Sequence, residues 1–469
     1  MYARLLGMLP VEQSCYWLAT RQGYNPEPSL TGNIDCDVAV IGAGFTGLWT
    51  AYFLKELQPD LDVAVVERYV TGYGASGRNA GMVSTCLDHT HSLAIEHFGR
   101  EEAQRLAHIG LANIDELGKF ADDCDWERTG QLQVALVPKH IDDLKSNFEV
   151  AREIGLPGYR LLGRDEVRAE LDSPLYIAGL YVPGGAILNP IKLIDKLKRH
   201  LLEKGGRLFE KTRVVSLDGR SPNGQSHSDS HTIECENGTL RARKFVLATD
   251  AYTHHLVPQL LWRFIPLYDY ILVSEPLSAE QMEKLRWQNR QGIVDGRTFF
   301  NYYRLTSDNR VLWGTSEAVY YPPNKVDETC DHSTKHYQTL EDSWKRHFPA
   351  LADLSFPYRW GGPIASTTRL TPFFGTAYGG NVIYGLGYTG HGIGTTRLAG
   401  KILAHLATAR DDELLKLKMV TDKPFPYPPE PLRSLSVKAV TKSLQQVDAG
   451  GSPNLLLKLL DVMGIGFSS

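Results

Sequence analysis

The residues that decide the fold of this chain are Cys36–Gly47, with the sequence CDVAVIGAGFTG. The apolar run before the glycines predicts a buried strand, and the apolar spacing from Leu48 to Leu57 predicts a helix. A second apolar strand, Val63–Val66, ends at Glu67, twenty residues after Gly47. This succession of strand, glycine turn, helix, strand and acidic residue is typical of a dinucleotide-binding unit.

Each glycine of this first loop has a physical reason. Gly42 allows the tight turn, Gly44 lets backbone amides approach a pyrophosphate, and Gly47 lets the helix pack on the strand. The helix dipole favours phosphate at the helix N-terminus. The acidic side chain of Glu67 accepts ribose hydroxyls and argues against a 2′-phosphate. The candidate cofactor contacts here are Gly42, Gly44, Phe45, Thr46, Gly47, Glu67 and Arg68. The unit predicts a dinucleotide without identifying it.

The composition is that of an ordinary globular protein. The 469 residues are 42% hydrophobic and 22% charged, with a net charge of −4 and no basic run, which argues against nucleic-acid binding. The six cysteines include no CxxC pair, so neither a metal site nor a disulfide framework is indicated. We see no signal peptide and no apolar stretch of the roughly 20 residues that span a bilayer. These features favour a cytoplasmic protein.

Two further glycine-rich loops follow, the second loop at 72–82 and the third loop at 385–394. The second loop precedes a predicted helix at 91–123, and the third follows a predicted strand at 382–384 and opens a predicted helix at 395–408. A nicotinamide cofactor leaves both loops without a role, whereas an extended FAD needs backbone donors at several points along its length. The candidate contacts are Ala75, Ser76, Gly77, Arg78, Asn79, Gly81 and Met82, then Val214, Val215 and Thr249, and finally Gly390, His391, Gly392, Ile393 and Gly394.

The central third of the chain has a different pattern. Aromatic residues and strand formers from 264 to 360 predict an antiparallel sheet, interrupted by a helix at 335–348. Further helices are predicted at 141–155 and 190–204, and a polar surface hairpin end at 221–231. The predicted fold class is α/β (α+β), with a Rossmann-like FAD-binding domain assembled from discontinuous segments and a substrate domain with a mixed or antiparallel sheet flanked by helices.

The predicted domain division follows these patterns. Residues 1–33 form an N-terminal extension and residues 411–469 a C-terminal extension with a helical tail. The FAD-binding domain takes 34–110, 180–255 and 355–410, and the substrate domain takes 111–179 and 256–354.

Several motifs resemble one family. They are Cys36–Gly47, Ala75–Gly81, the segment YYRLTSDNR at 302–310, Tyr358–Trp360 and Gly387–Gly392. Together they are similar to the D-amino-acid-oxidase-type FAD oxidoreductases, and most similar to the gamma-glutamylputrescine oxidase branch of that family. The resemblance covers roughly residues 34–410.

The resemblance implies an FAD enzyme that oxidises an amine C–N bond. A hydride passes from the substrate carbon to flavin N5, and the imine hydrolyses to an aldehyde or keto product. Oxygen, giving hydrogen peroxide, or a quinone-type acceptor then reoxidises the flavin. No motif supports a covalent link through Cys86 or Cys330, so we expect non-covalent FAD. Sarcosine-oxidase-like relatives carry a lysine where this chain has Gly394, which disfavours a simple N-methylglycine-type substrate.

Four side chains are candidates for the substrate pocket. His391 lies in the third loop, Tyr270 and Tyr303 offer aromatic walls for a cationic or apolar amine, and Arg369 could grip a substrate carboxylate. The neighbouring tyrosines Tyr268 and Tyr302 offer the same kind of wall.

The tail and two alternative functions stay open. The apolar run at 455–463 predicts a helix that packs on the body or contacts a membrane surface or partner. A nicotinamide-dependent dehydrogenase would use Glu67 and leave the later loops structural. The other alternative is a non-catalytic escort-type protein on the same fold. Escort proteins tend to lose the flavin loops, whereas this chain keeps them.

Overall fold

The structure is a computed structural model, and it is described for residues 9–87, 89–217, 231–462 and 464–465. The polar loop predicted at 221–231 lies outside these residues apart from its last residue, and so does Met463 of the predicted tail helix.

The helices and strands carry one numbering in chain order. The strands are β1 (Gly32–Ile41), β2 (Val63–Val66), β3 (Met82–Val83), β4 (Gln131–Ala135), β5 (Arg160–Leu162), β6 (Ala178–Val182), β7 (Ala186–Ile187), β8 (Arg207–Phe209), β9 (Val214–Ser216), β10 (His231–Cys235), β11 (Gly238–Leu247), β12 (Ile265–Pro276), β13 (Gly292–Asp295), β14 (Asn301–Leu305), β15 (Arg310–Val319), β16 (Tyr358–Ser366), β17 (Phe373–Ala377) and β18 (Val382–Leu386). The helices are α1 (Val11–Ser14), α2 (Tyr16–Ala19), α3 (Phe45–Leu57), α4 (Ala75–Arg78), α5 (His91–Phe98), α6 (Arg100–Phe120), α7 (Pro138–Glu153), α8 (Arg164–Glu170), α9 (Pro190–Glu203), α10 (Ala279–Leu285), α11 (Thr334–His347), α12 (Gly392–Ala407), α13 (Lys418–Thr421), α14 (Leu432–Asp448) and α15 (Leu455–Val462).

The first large sheet is built around the strand that precedes the first loop. Strand β1 pairs in parallel with β2 on one side and with β11 on the other. The order is β17-β18-β11-β1-β2-β8, with β10 and β9 attached beyond β11. Helices α3, α9 and α12 pack together on one face, and the other face has its own buried core. Because both faces are covered, the central strands read as continuous apolar runs.

The second large sheet has the order β16-β12-β15-β14-β13-β4-β6-β5. Its pairs are antiparallel except for β13 with β4, which agrees with the antiparallel layer predicted at 264–360. Helix α11 covers one face through a core rich in tyrosine and tryptophan. The predicted fold class is therefore confirmed.

Two strands pair within the second sheet although the predicted division assigns them, in part or wholly, to the FAD-binding domain. Strand β6 crosses the predicted boundary at 180, and β16 lies within the range 355–410 assigned to the FAD-binding domain, yet both pair within the second sheet. The sequence pattern marks these segments as strands but says nothing of which sheet they join. We propose that each domain follows its own sheet, with β6 and β16 in the substrate domain.

The predicted helices are found with shifted ends. The periodic stretch at 91–123 divides into α5 and α6 because Gly99, with φ of +85°, breaks the helix between them. Helix α7 begins at Pro138, earlier than predicted, since proline suits the first helical position. Helix α12 begins at Gly392 rather than near 395, so its first turn lies inside the third loop.

Candidate active site

One cavity of about 1740 Å³ lies between the two sheets and joins two different kinds of wall. Its loop end is lined by the first loop, Glu67 and residues of β9. Its sheet end is lined by strands of the second sheet and by helices α14 and α15. A site for one small molecule typically has a volume of about 300–1,000 Å³, so this cavity has room for a dinucleotide and a substrate together.

The glycines of the first loop have the roles expected from their spacing. Gly42 has φ of +102°, and a Cβ atom there would lie 2.6 Å from the carbonyl oxygen of Ala248. A Cβ on Gly47 would lie 1.9 Å from the carbonyl oxygen of Gly42, which shows how closely α3 approaches the turn. Gly42, Gly44, Phe45 and Thr46 line the cavity, whereas Gly47 packs behind the turn.

The N-terminus of α3 fits a pyrophosphate. Its cap residue is Gly44, and the helix has no side-chain cap. The amide of Phe45 donates to Ser76 Oγ at 2.8 Å, which ties the first loop to the second. The amides of the first helical turn, aligned with the helix dipole, suit the negative charge of phosphate.

Glu67 is positioned by backbone amides at the end of β2. Oε2 accepts from the amide of Ala43 at 2.9 Å, and Oε1 accepts from the amide of Tyr69 at 3.0 Å. Burial raises the pKa of the Glu67 carboxyl, and these amides oppose the rise. Each carboxylate oxygen keeps further lone pairs, so the ribose hydroxyls of an adenosine can still donate to it. The neighbouring predicted contacts Arg68, Val214, Val215 and Thr249 also line the cavity.

The second loop is held by its own side chains. Asn79 donates from Nδ2 to the carbonyl oxygens of Ala75 and Ser76, and its Oδ1 accepts from the amide of Gly81. A Cβ on Gly77 or Gly81 would lie 2.2 Å or 2.3 Å from a backbone carbonyl oxygen, so these glycines serve close packing. Ala75, Ser76, Arg78, Asn79 and Met82 line the cavity, and Gly77 and Gly81 lie behind it.

Arg78 links the second loop to the second sheet. Its guanidinium is buried, pairs with Asp331 at 2.8 Å, and donates to the carbonyl oxygens of Tyr73 and Gly361. Burial raises the pKa of Asp331 to about 6, although the charge of Arg78 opposes the rise. This buried ion pair fixes the position of the loop relative to the sheet.

The third loop brings the N-terminus of α12 to the cavity. Gly390 has φ of +85°, and α12 begins after His391 without a side-chain cap. The ring of His391 lies edge-on to that of His89, with centroids 4.9 Å apart. Burial lowers the pKa of His391 and lowers that of His89 to about 3, so both rings are neutral at physiological pH. All five predicted residues from Gly390 to Gly394 line the cavity.

The predicted tyrosine walls are corrected by the structure. Tyr270 and Tyr303 are fully buried in the core under α11, on the face of the second sheet that is turned away from the cavity. Tyr270 donates to the carbonyl oxygen of Cys330 at 2.8 Å, and Tyr303 hydrogen-bonds the hydroxyl of Tyr176. Because successive side chains of a strand face opposite sides, it is the preceding residues, Asp269 and Tyr302, that line the cavity.

Arg369 is also placed away from the cavity. Its guanidinium donates to the carbonyl oxygens of Pro372, Met419 and Asp422 at 2.8–3.1 Å. These bonds tie the turn after β16 to helix α13, so the side chain has a structural role and is not a substrate ligand. The reason is that the backbone carbonyls at the end of α13 need donors, and Arg369 supplies them.

Sequence reasoning missed three contributors to the site. Asp250 accepts from the amides of Gly387 and Ala365 at 3.0 and 3.2 Å, which joins the third loop to β16. In the N-terminal extension, Trp17 donates from Nε1 to the carbonyl oxygen of Asn79 at 2.8 Å and supports the second loop. The C-terminal helices α14 and α15 cover the sheet end. The position of Asp250, three residues after the end of strand β11, could have marked it, since strand ends carry site residues in such sheets.

The fold and the loops define a class: dinucleotide-binding proteins whose parallel sheet holds the ligand under a second, largely antiparallel sheet. The family follows from the sequence, because the profile described as DAO, FAD dependent oxidoreductase, matches residues 37–406. The chain belongs to this family.

Comparisons with individual proteins agree. The chain is 28% identical over 418 residues to the gamma-glutamylputrescine oxidoreductase of Escherichia coli K12, covering 88% of this chain and 93% of that protein. It is also 28% identical over 435 residues to a probable oxidoreductase OrdL of Haemophilus influenzae, covering 90% and 94%. Glycine oxidase from Geobacillus kaustophilus has the same fold, with a TM-score of 0.65 at 20% identity, over 81% of this chain and 96% of that one.

These findings confirm the predicted family, FAD as the cofactor and an oxidoreductase as the kind of enzyme. The predicted similarity to gamma-glutamylputrescine oxidases agrees with the similarity to the E. coli protein. They give no support to the nicotinamide-dependent dehydrogenase or to the non-catalytic escort protein. The three loops fit FAD, because two uncapped helix N-termini and a carboxylate lie along one cavity. Cys86 lines that cavity, whereas Cys330 lies in the core of the second sheet.

Proposed function

We propose that this protein is an FAD-dependent oxidase or dehydrogenase of an amine C–N bond, with a primary or secondary amine of the gamma-glutamylputrescine kind as substrate. The observation that carries the proposal is the continuity of the cavity, from the first loop to a sheet end lined mainly by uncharged side chains. The E. coli relative, 28% identical along most of both chains, supports the choice of substrate class.

The reaction balances as a two-electron oxidation followed by hydrolysis. The substrate carbon loses hydrogen with its electron pair and the nitrogen loses a proton, so the C–N bond becomes a C=N imine. Water then converts the imine to an aldehyde or keto product and releases the amine nitrogen. When bound, FAD supplies the acceptor of the electron pair, and oxygen or a quinone-type acceptor takes up the electrons afterwards.

The residues of the chain bind, orient and exclude water. We assign the pyrophosphate to the amides of the first loop and the adenosine ribose to Glu67, on the contacts described above. The N-terminus of α12, beside His391, would stabilise negative charge on the ring system of the cofactor. Because such a reaction depends on orientation and desolvation, it does not need a Ser–His–Asp arrangement.

The test is a purification followed by anaerobic titration. We expect a yellow protein that releases FAD on denaturation, as non-covalent binding requires. Gamma-glutamylputrescine or a related amine should bleach the flavin absorption without oxygen, and admitting oxygen or a quinone should restore it. A panel of diamines, N-alkyl amino acids and glycine ranks the substrates. A protein that retains FAD and is bleached by none of them would refute the proposal.

We further propose a cytoplasmic location. Its support is that the described residues contain no disulfide, as expected of a reducing compartment. Within the part of the chain that the structure describes, no helix is long and apolar enough to cross a bilayer.

A further inference from the structure

Asp269 lies in the middle of strand β12, at the sheet end of the cavity. Its neighbours Tyr268 and Tyr270 are fully buried on the opposite face of the sheet. The residues that share its face, Leu267 and Ile271, line the cavity with it. A carboxylate therefore stands in a row of apolar side chains that face the cavity.

The protein does not supply hydrogen-bond donors to both oxygens of the Asp269 carboxylate. Oδ1 is buried and has no hydrogen-bond partner among the described residues. The backbone amide of Ala318 stabilises the charged form, but burial and the nearby charge of Glu317 raise the pKa of Asp269 to about 7. A buried oxygen without a partner is costly unless a ligand supplies the missing donor.

The other carboxylates that line the cavity are already engaged or exposed. Glu67 and Asp250 each accept two backbone amides, and Asp295 pairs with a neighbouring arginine. Asp143 is exposed to solvent on α7. Among these carboxylates of the described residues, only Asp269 has a buried oxygen that accepts no hydrogen bond.

Arg78 is a cation that lies beside Asp269 on this face of the sheet. Asp269 pairs across the sheet with Gly362, and a Cβ on that glycine would lie 3.1 Å from Cδ and 3.8 Å from Nη1 of Arg78. Arg78 therefore lies over this face, with Nη1 paired with Asp331 and donating to the carbonyl oxygen of Gly361, and with Nη2 buried and without a hydrogen-bond partner among the described residues. No cation is among the groups that shift the pKa of Asp269.

We propose that Asp269 receives the ammonium group of the substrate inside this apolar part of the cavity, which selects amines without a carboxylate next to the nitrogen. The inference rests on the proposed amine oxidation. The ammonium donates a hydrogen bond to the free oxygen, and each group replaces the water that the other lost on burial. A carboxylate adjacent to the nitrogen would be repelled by the charge of Asp269.

The same contact prepares the amine for oxidation. A proton passes from the substrate nitrogen to the carboxylate, so that R–CH2–NH3⁺ and Asp–COO⁻ become R–CH2–NH2 and Asp–COOH. The N–H bond breaks and an O–H bond forms, which leaves the lone pair on nitrogen that imine formation needs. The raised pKa makes Asp269 a better acceptor of this proton than an ordinary aspartate.

The first test measures binding without turnover. The FAD-loaded protein is titrated with tert-butylammonium, which has no hydrogen on the carbon that carries nitrogen and cannot be oxidised, and with neutral tert-butanol. Binding is read from flavin absorption and by calorimetry. Asp269→Asn should weaken binding of the cation at least about tenfold, because a charge-assisted bond is lost. Asp143→Asn, which removes a carboxylate from an exposed part of the same cavity, should leave binding unchanged.

The second test uses the unaltered protein, so its result does not depend on whether the variant Asp269→Asn folds. Binding of tert-butylammonium, and kcat/KM for a bleaching amine, should fall as the pH drops below about 7, because Asp269 becomes neutral while the amine stays charged. Of the groups that face Asp269, Tyr302 and Arg78 have raised pKa values and do not titrate there. Burial lowers the pKa of the cavity histidine His391. The variants Glu317→Gln and His391→Asn test whether either of these groups accounts for the pH dependence.

The outcomes separate this inference from the function on which it rests. If amines bleach the flavin but Asp269→Asn and the unaltered protein bind tert-butylammonium equally, the role of Asp269 is wrong and amine oxidation stands. If no amine bleaches the flavin, amine oxidation fails, whatever the cation titration shows. Equal binding of tert-butanol and tert-butylammonium would also overturn the role of Asp269.

Discussion

The two ends of the cavity are built on different principles. The loop end uses mainly backbone amides of residues that lie close together in sequence, with Glu67 held by the amides of Ala43 and Tyr69. The sheet end uses side chains from β12, β14 and the C-terminal helices, brought together from residues nearly 200 apart in sequence. A binding site formed by backbone amides can be recognised in the sequence from the glycines that shape its loops. A binding site formed by side chains cannot, because the residues that line it depend on which face of each strand is turned towards the cavity.

The largest effect is expected at the loop end. Gly47→Ala puts a Cβ 1.9 Å from the carbonyl oxygen of Gly42, so the turn must move away from the helix. We expect almost complete loss of bound FAD and a stability loss of about 1–3 kcal/mol. The measurement is the ratio of flavin to protein absorbance together with thermal unfolding.

A matched control tests whether the close approach is the cause. Gly74→Ala adds the same atom at a glycine with no heavy atom within 4 Å of the new Cβ and with negative φ. FAD content should be retained. If Gly47→Ala and Gly74→Ala lose FAD equally, the close approach at Gly47 is not the cause, since any glycine of the loop end would then be equally sensitive.

The next effect concerns Glu67. Glu67→Ala removes the acceptor of two amides, at Ala43 and Tyr69, and the proposed ribose contact. An unsatisfied buried donor costs about 1–3 kcal/mol, so FAD affinity should fall roughly 10- to 100-fold. Fluorescence titration of the FAD-free protein measures this. Glu67→Gln, which keeps an acceptor oxygen, should lose less, and equal losses would contradict the amide argument.

The sheet end is tested by shortening the tail. Leu456 and Leu460 of α15 line the cavity, and the carbonyl oxygen of Gly464 lies 3.0 Å from Nε2 of His97. Deletion of residues 450–469 should leave FAD binding intact and lower kcat/KM for the amine about tenfold. The reason is that the deletion removes two leucines from the apolar wall of the cavity, and full burial of a leucine side chain contributes about 1.5–3 kcal/mol. Steady-state kinetics at matched FAD content measures it.

The same deletion decides between packing and surface contact. Leu455, Leu459 and Val462 are exposed on the outer side of α15. If the tail serves only the cavity, partitioning of the protein onto lipid vesicles will be the same with and without it. Loss of vesicle binding on deletion would assign the exposed leucines to a membrane surface.

The smallest effect is expected where strand alternation corrected the prediction. Tyr303→Phe removes a buried hydroxyl contact with Tyr176 and should cost about 1 kcal/mol of stability with kcat and KM unchanged. Tyr302→Phe changes the residue on the cavity side of the same strand and should alter KM. An unchanged KM for Tyr302→Phe together with a raised KM for Tyr303→Phe would reverse the assigned faces.

The loop end of the cavity could be predicted from the sequence, whereas the sheet end could not. The first sheet and the three loops could be predicted because turns, close approach and helix starts require particular residues at particular spacings. The substrate residues could not be assigned, because both faces of β12 and β14 are covered and therefore both carry apolar or aromatic side chains. Without a polar face, the pattern of β12 does not show that Asp269, and not Tyr270, faces the cavity.

The sequence alone determined the dinucleotide unit, the separated loops that indicate FAD, and the presence of a second sheet. Their determinants are local, since glycine, proline and strand periodicity act within a few residues. Only the tertiary structure decided that Arg369 joins a turn to α13, that Arg78 pairs with Asp331, and that the C-terminal helices cover the sheet end. The physical reason is that such contacts depend on burial and on distant partners, which no local pattern specifies.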